Sequence, residues 1–128
     1  MKHQHAAAIL VVEDDFLIRM NAVDIFEDAG FQVCEASNAD EAIRILELRR
    51  DVRLVFTDIN MPGSMDGLGL ARYVAETWPS VALIVTSGRV DLRTASLPPN
   101  GAFIAKPYRA DQILREMRQM IGGEVLLH

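Results

Sequence analysis

Apolar positions follow two different periods along the chain, and the two periods alternate. Short continuous apolar runs are typical of strands that are buried on both faces, whereas apolar residues three and four positions apart predict amphipathic helices. Strands are predicted at Ile9–Val12, Phe31–Ala36, Leu54–Thr57, Val81–Thr86 and Ala102–Ala105. Helices are predicted at Phe16–Ala29, after an N-cap at Asn38, at Leu68–Trp78 and at Asp111–Ile121. Periodicity places Ile18, Ala22, Ile25, Phe26 and Ala29 on the buried face of the first helix, and Glu41 completes a capping box with Asn38. Strands and helices in alternation predict a parallel sheet covered by helices on both faces.

The pattern is continuous enough to predict a single domain over residues 8–121, with tails at 1–7 and 122–128. The chain has 128 residues, which favours one domain. The helix expected between the fourth and fifth strands is short or irregular, because residues 89–101 leave room for only about two turns before Pro98 and Pro99. The ordinary start at Met1 and the lack of a linker favour a stand-alone domain.

Composition and charge exclude several classes of protein. The formal net charge is -5, which argues against a nucleic-acid-binding module, since such a module carries a basic patch. No apolar run approaches the ~20 residues that a membrane span needs. Cys34 is the single cysteine, so no intrachain disulfide can form. We therefore expect a cytoplasmic protein.

Polar residues follow four of the predicted strands at the point where each strand ends. Glu13 and Asp14 follow the first strand, Asp58 follows the third, Thr86 ends the fourth and Lys106 follows the fifth. Because the carboxyl ends of parallel strands meet at one edge of a sheet, we expect these side chains to lie together.

These residue types together predict magnesium-assisted phosphoryl transfer. Mg²⁺ prefers oxygen ligands, which Asp14 and Asp58 supply directly and Glu13 supplies through water. A carboxylate such as that of Asp58 can attack phosphorus and form an acyl phosphate. The Lys106 ammonium and the Thr86 hydroxyl suit the charge on the transferring group. For the acidic residues after the first strand, a solvated turn that caps the next helix is the alternative interpretation.

Over residues 8–121 the chain resembles the receiver domain of two-component response regulators. The matching motifs are Val11-Val12-Glu13-Asp14, Asp58 with Met61-Pro62 and Met65-Asp66-Gly67 after it, Thr86, and Lys106-Pro107. The resemblance implies an α/β, flavodoxin-like three-layer sandwich with a five-stranded parallel sheet in the order 2-1-3-4-5.

The resemblance also implies a role for each site residue. Asp58 is the expected phosphoacceptor, supplied by a sensor histidine kinase or a histidine phosphotransfer protein. The expected ligands of Mg²⁺ are Glu13, Asp14, Asp58 and the backbone carbonyl of Asn60. Thr86 and Lys106 are expected to contact the phosphoryl group, and Thr86 and Phe103 to form the switch. The downstream target is a protein that the sequence does not identify. Neither nucleic acid nor a membrane is an expected partner, and homodimerisation stays open.

Several features depart from the usual pattern of that family, among them the short fourth helix and Phe103, which lacks the hydroxyl of a tyrosine at the switch position. The loop after Met61-Pro62 is about one residue longer, and Tyr108 stands where phenylalanine is usual. The Lys106–Pro107 peptide is a candidate for the cis form.

Two alternative functions stay open at this point. One is a magnesium-dependent phosphatase of the haloacid dehalogenase type, which would place Asp-x-Asp where this chain has Glu13-Asp14-Asp15. The other is a receiver-fold binding module that acts without phosphorylation. Neither is favoured over a receiver that is phosphorylated stoichiometrically and does not turn over substrate.

Overall fold

The computed structural model describes residues 7–88 and 97–121. The irregular segment predicted at 89–101 lies largely outside the described residues, and so do the predicted tails apart from Ala7. In the part that is described, no helix has the length and apolar character that crossing a membrane requires.

The described residues form a five-stranded parallel sheet in the order β2-β1-β3-β4-β5, which confirms the predicted fold. The strands are β1 (Ala8–Val12), β2 (Gln32–Ala36), β3 (Val52–Asp58), β4 (Ala82–Ser87) and β5 (Gly101–Ala105). The helices are α1 (Phe16–Asp28), α2 (Ala39–Leu48), α3 (Gly67–Thr77) and α4 (Ala110–Ile121).

Burial along the strands matches their order in the sheet. β1 and β4 are buried at every position, as expected for strands with a neighbour on each side and helices above and below. β2 exposes Gln32 and Glu35, and its more polar sequence fits its place at an edge of the sheet. β1 and β3, whose ends carry the predicted acids, both lie in the interior of the sheet.

Alternate residues of the central strands pack on opposite sides of the sheet into two cores. Leu10, Val55 and Leu83 face α2 and α3, whereas Ile9 and Leu54 face α1 and α4. Each of these five side chains is completely buried, and such burial stabilises the fold by about 1.5–3 kcal/mol per side chain. The two cores hold the carboxyl ends of the strands in a common rim.

Three helices begin at acidic or amide N-caps beside this rim. Asp15 accepts a hydrogen bond from the Ile18 amide at 3.0 Å, and Asp66 accepts one from the Gly69 amide at 2.8 Å. Asn38 caps α2 as predicted, by accepting from the Glu41 amide at 2.9 Å. The bond that the Glu41 side chain makes back toward the start of α2 differs from that of a capping box.

That returning bond reaches one residue further back than the capping box predicts. The Glu41 carboxylate accepts from the backbone amide of Ser37 at 2.7 Å, not from that of Asn38. The Ser37 hydroxyl donates to the same Glu41 oxygen at 2.9 Å, which favours the shifted arrangement.

The buried face of α1 differs from the prediction at its first turn. Ala22 and Phe26 are buried as predicted, and Val23 beside them is buried as well. Ile18, predicted on the same face, is exposed. Its neighbours Phe16 and Leu17 are 60% and 74% exposed, so the first turn of α1 as a whole does not lie against the core.

Candidate active site

The predicted site residues lie together at the carboxyl edge of the sheet. Glu13 and Asp14 follow β1, Asp58 is the last residue of β3, and Lys106 follows β5. Thr86 pairs in register with Asp58 across β3 and β4. Parallel pairing at one edge therefore converges residues that are up to 93 positions apart in the sequence.

Lys106 contacts two of the three acids. Its Nζ donates to Asp58 Oδ2 at 2.9 Å and to Glu13 Oε1 at 3.4 Å. Its backbone amide donates to the Ser87 carbonyl at 2.9 Å, and the peptide to Pro107 has the cis form for which the sequence made it a candidate. Burial alone would lower the pKa of Lys106, but the hydrogen bond to Asp58 and the charges of both acids outweigh burial and raise it. Lys106 is therefore an ammonium ion at neutral pH.

The Asp58 carboxylate is buried, and each of its oxygens has a donor. Oδ2 accepts from Lys106, and Oδ1 accepts from the Asn60 amide at 3.2 Å. The Thr57 hydroxyl donates to the Asp58 carbonyl at 3.0 Å, and the Ile59 amide donates to the Thr86 carbonyl at 2.8 Å. These bonds hold the carboxylate in one orientation at the carboxyl edge of the sheet.

Glu13, Asp14 and Asp58 form a group that fits a divalent cation. One carboxylate oxygen from each lies within 4.8 Å of the others. Burial raises the pKa of Glu13 to about 7, with the Asp58 charge and a hydrogen bond to Asp14 acting in the same direction. The Asp15 amide and Lys106 act against this shift and do not cancel it. The cluster therefore holds more negative charge than its protein surroundings stabilise, which a cation with oxygen ligands would relieve.

The backbone of Asp58 is packed directly against the start of α3. A Cβ added to Gly67 would lie 1.8 Å from the Asp58 carbonyl oxygen, so only glycine fits. The Gly67 amide donates to the Ile59 carbonyl at 3.0 Å. The sequence pattern included Gly67 as a motif residue, and the structure shows the contact that requires it.

The two predicted switch residues lie on neighbouring strands. Thr86 is buried at the end of β4, and Phe103 is half-buried in β5, where it pairs in register with Val85. Asn60 is exposed in the loop after β3. The ligand, contact and switch roles of these residues stay predictions.

An apolar surface that sequence reasoning did not identify borders the site. Phe16, Leu17 and Met20 in the first turns of α1 are 60%, 74% and 44% exposed. A groove of about 460 Å³ runs beside them, lined by Leu17, Ile18, Asn21, Lys106, Pro107 and Tyr108. The available signal was the run Phe16-Leu17-Ile18, since three consecutive helical residues cannot all face one core.

An aromatic row joins this groove to the interior. The Tyr108 ring lies edge-on to Phe56 with the ring centroids 5.5 Å apart, and Phe56 meets Phe26 at the same separation. Burial raises the pKa of the Tyr108 hydroxyl. Tyr108 therefore forms part of both the core beneath the site and the groove beside it.

Comparison with family models and curated proteins agrees on one family. Residues 9–118 match the model described as response regulator receiver domain, a range that includes every strand-end residue of the site. The chain is 33% identical to the sensor kinase CckA of Brucella abortus over 91% of this chain and 13% of that protein. It is 35% identical to the aerobic respiration control protein ArcA of Escherichia coli K12 over 89% of this chain and 48% of that protein. The chain thus spans less than half the length of these relatives.

Solved structures show the same architecture. A response regulator receiver protein from Sinorhizobium medicae is 28% identical with a TM-score of 0.83, and the match covers 90% of this chain and 94% of that one. A receiver domain protein from Clostridium thermocellum is 27% identical with a TM-score of 0.84, and the match covers 95% and 99% of the two chains.

Proposed function

The chain belongs to the response regulator receiver domain family, and from that premise we propose that it is a phosphorylation-dependent signalling domain whose phosphoacceptor is Asp58. The donor is the phosphohistidine of a sensor histidine kinase or a histidine phosphotransfer protein in the cytosol. The modified domain changes its binding to a downstream protein. The reaction is stoichiometric, and the domain does not turn over a substrate as an enzyme does.

The observation that carries this proposal is the pairing of the buried Asp58 carboxylate with Lys106 at 2.9 Å beside two further acids. In the transfer, a carboxylate oxygen of Asp58 bonds to phosphorus as the phosphorus–nitrogen bond of the phosphohistidine breaks. The bonding electron pair stays on the imidazole, which leaves as the free histidine side chain. Lys106 stabilises the charge on the phosphoryl oxygens, and the Asn60 amide keeps the carboxylate oriented.

The acidic cluster fits Mg²⁺ in the ligand set that the sequence predicts. Asp14, Asp58 and the Asn60 carbonyl would bind the ion, and Glu13 would act through water. The bound ion would supply positive charge next to the transferring phosphoryl group. Lys106 supplies a second positive charge, since its ammonium group pairs with the carboxylates of Glu13 and Asp58.

The proposed switch uses Thr86 and Phe103. A phosphoryl group on Asp58 gives the Thr86 hydroxyl an acceptor on the adjacent strand. Phe103 pairs one position before the partner of Thr86 and is half-buried, so a change at Thr86 can alter its exposure. The downstream protein reads that change.

The exposed face of α1 is the proposed docking surface for the phosphodonor. Any donor that reaches Asp58 must cover the rim where Lys106 lies. Phe16, Leu17 and Met20 extend from that rim as an exposed apolar surface, which is typical of a protein–protein interface. Leu17 also lines the groove that contains Lys106.

Intact-mass measurement tests the phosphoacceptor. The protein is incubated with Mg²⁺ and acetyl phosphate, and we expect the wild type to gain one phosphoryl group. Asp58→Ala should gain none, and a chelator should prevent the gain in the wild type. An unmodified wild type, or equal labelling of Asp58→Ala, would refute the proposal. Multiple turnovers on a phosphomonoester would identify a phosphatase instead.

A pair of leucine variants tests the docking surface. The phosphodonor is a histidine kinase that labels the wild type. We expect Leu17→Asp to slow phosphotransfer from it by about tenfold or more, because the substitution places a charge at the centre of an apolar interface. Leu48→Asp is the control, since Leu48 is 85% exposed on α2, on the opposite face of the sheet. Labelling by acetyl phosphate should be unchanged in both. Equal transfer to both variants would place the docking surface elsewhere.

A further inference from the structure

We propose that Arg19 is a positioning residue that holds the Glu13–Asp14 turn in place for metal binding. This inference rests on the proposed magnesium-dependent function. Arg19 lies on α1, and its side-chain hydrogen bonds go to Glu13 and Glu35 and to neither Asp14 nor Asp58. It acts through the backbone of Glu13.

The Arg19 guanidinium bridges two segments. Its Nη1 donates to the Glu13 carbonyl at 2.8 Å, and its Nε donates to Glu35 Oε1 at 3.0 Å. The Arg19 side chain is 16% exposed, which is much less than the 48% of Glu35. The contact to the carbonyl is therefore partly shielded from water, where a charge-assisted hydrogen bond is stronger.

This bridge lies where the β-ladder stops. The Glu13 amide donates to the Ala36 carbonyl at 3.0 Å, which is the last ladder-like bond between β1 and β2 at this end. The Glu13 carbonyl then turns away and accepts from Arg19, whose other partner is Glu35 in the same strand β2. The turn is thus tied to β2 twice, once through the main chain and once through Arg19.

The ligand that depends on this turn is Asp14. Glu13 has further restraints, because its carboxylate accepts from the Asp15 amide at 3.1 Å and from Lys106. Asp14 is exposed, and the position of its carboxylate relative to Asp58 follows from the course of the backbone through Glu13. Loosening that backbone separates two of the three proposed carboxylate ligands.

Arg19 also carries a positive charge beside an acidic cluster. The direction in which Mg²⁺ affinity changes on substitution therefore distinguishes a charge effect from a positioning effect. If charge were its only contribution, removing it would strengthen cation binding and replacing it with lysine would change nothing. If it positions the turn, lysine also weakens binding, because one ammonium nitrogen cannot reproduce a bridge made through two guanidinium nitrogens.

The experiment measures Mg²⁺ binding to metal-free protein by titration calorimetry for wild type, Arg19→Lys, Arg19→Met and Glu35→Gln. We expect the dissociation constant to rise about tenfold in Arg19→Lys, in the range seen when a partner of a metal ligand is lost. Glu35→Gln should raise it less, since the bond to the Glu13 carbonyl remains. Arg118→Lys, an exposed arginine near the end of α4, is the matched control and should bind as the wild type does.

The second measurement is the rate of labelling by acetyl phosphate at increasing Mg²⁺. A positioning role predicts a higher half-saturating Mg²⁺ concentration in Arg19→Lys and a wild-type rate at saturation. A role in general stability would lower the unfolding midpoint in chelator and leave the Mg²⁺ affinity unchanged, which would overturn the inference. An unchanged affinity in Arg19→Lys with tighter binding in Arg19→Met would also overturn it.

Asp14→Asn separates failure of this inference from failure of the proposed function. If the wild type binds Mg²⁺ and Asp14→Asn does not, the magnesium site is present. If Arg19→Lys then binds as tightly as the wild type, only the positioning role is wrong. Where the wild type binds no better than Asp14→Asn, the magnesium site and the positioning role are both wrong.

Discussion

Replacing Glu13 with glutamine should stabilise the metal-free protein at alkaline pH. Glu13 is only 4% exposed, and its pKa is raised from 4.5 to about 7, chiefly by burial. At 1.36 kcal/mol per pKa unit, ionising this group in the folded state costs roughly 3 kcal/mol. Because the folded pKa lies above the unfolded one, the stabilising contribution is complete below pH 4.5 and is lost as the pH rises through 7.

Glutamine does not ionise, so the free energy of unfolding of Glu13→Gln should exceed that of the wild type by more as the pH rises. Glutamine keeps an oxygen that can accept from the Asp15 amide and removes the charge that burial disfavours. Between pH 5 and pH 8 we expect the difference in free energy of unfolding between Glu13→Gln and the wild type to increase by about 2–3 kcal/mol.

Urea unfolding in the presence of a chelator measures this difference, with Trp78, the single tryptophan, as the fluorescent probe. Glu47→Gln removes an exposed carboxylate from α2 and is the control for lost charge. Adding Mg²⁺ at pH 8 should stabilise the wild type more than Glu13→Gln, since binding to the folded state stabilises it. The reasoning fails if wild type, Glu13→Gln and Glu47→Gln all change in parallel between pH 5 and pH 8.

Two further predictions concern the surroundings of Asp58. Lys106→Met should slow labelling by acetyl phosphate about tenfold or more at saturating Mg²⁺, because the ammonium beside the carboxylate is lost; an unchanged rate would remove Lys106 from the site. Gly67→Ala should lower the free energy of unfolding by at least about 2 kcal/mol, since its Cβ would meet the Asp58 carbonyl oxygen at 1.8 Å. Gly69→Ala, whose Cβ would meet mainly the flexible Met65 side chain, should change urea unfolding by less than about 1 kcal/mol, and equal losses would contradict the packing argument.

The positions of the strand ends were predictable because buried parallel strands combine a continuous apolar run with a polar residue at the shared edge. The run that ends at Asp58 shows this, and Lys106 reaches that carboxylate as the convergence of strand ends requires. The start of β3 was predicted two residues late. Val52 and Arg53 belong to the strand, but the polar Arg53 interrupts the apolar pattern.

Tertiary contacts that leave no periodic signal were not predictable. The bond from Arg19 to the Glu13 carbonyl links a side chain to a backbone group, and the partner Glu35 lies on another strand. The fit of Gly67 against Asp58 depends on how α3 packs below the rim. Ile18 was predicted on the buried face because helical periodicity gives the faces of a helix but not which of its turns are covered by the core.

The two roles proposed for the first turns of α1 can be separated by experiment. Leu17 and Arg19 are two positions apart, which is about 200° around a helix, so they point to opposite sides. Leu17 is 74% exposed toward the proposed phosphodonor, whereas Arg19 turns inward to the Glu13 carbonyl. Leu17→Asp should therefore impair transfer from a kinase and leave the Mg²⁺ affinity unchanged. Arg19→Lys should weaken Mg²⁺ binding and leave transfer from the kinase unchanged once Mg²⁺ is saturating. Variants that impaired both together would show that docking and metal binding depend on one common distortion of α1.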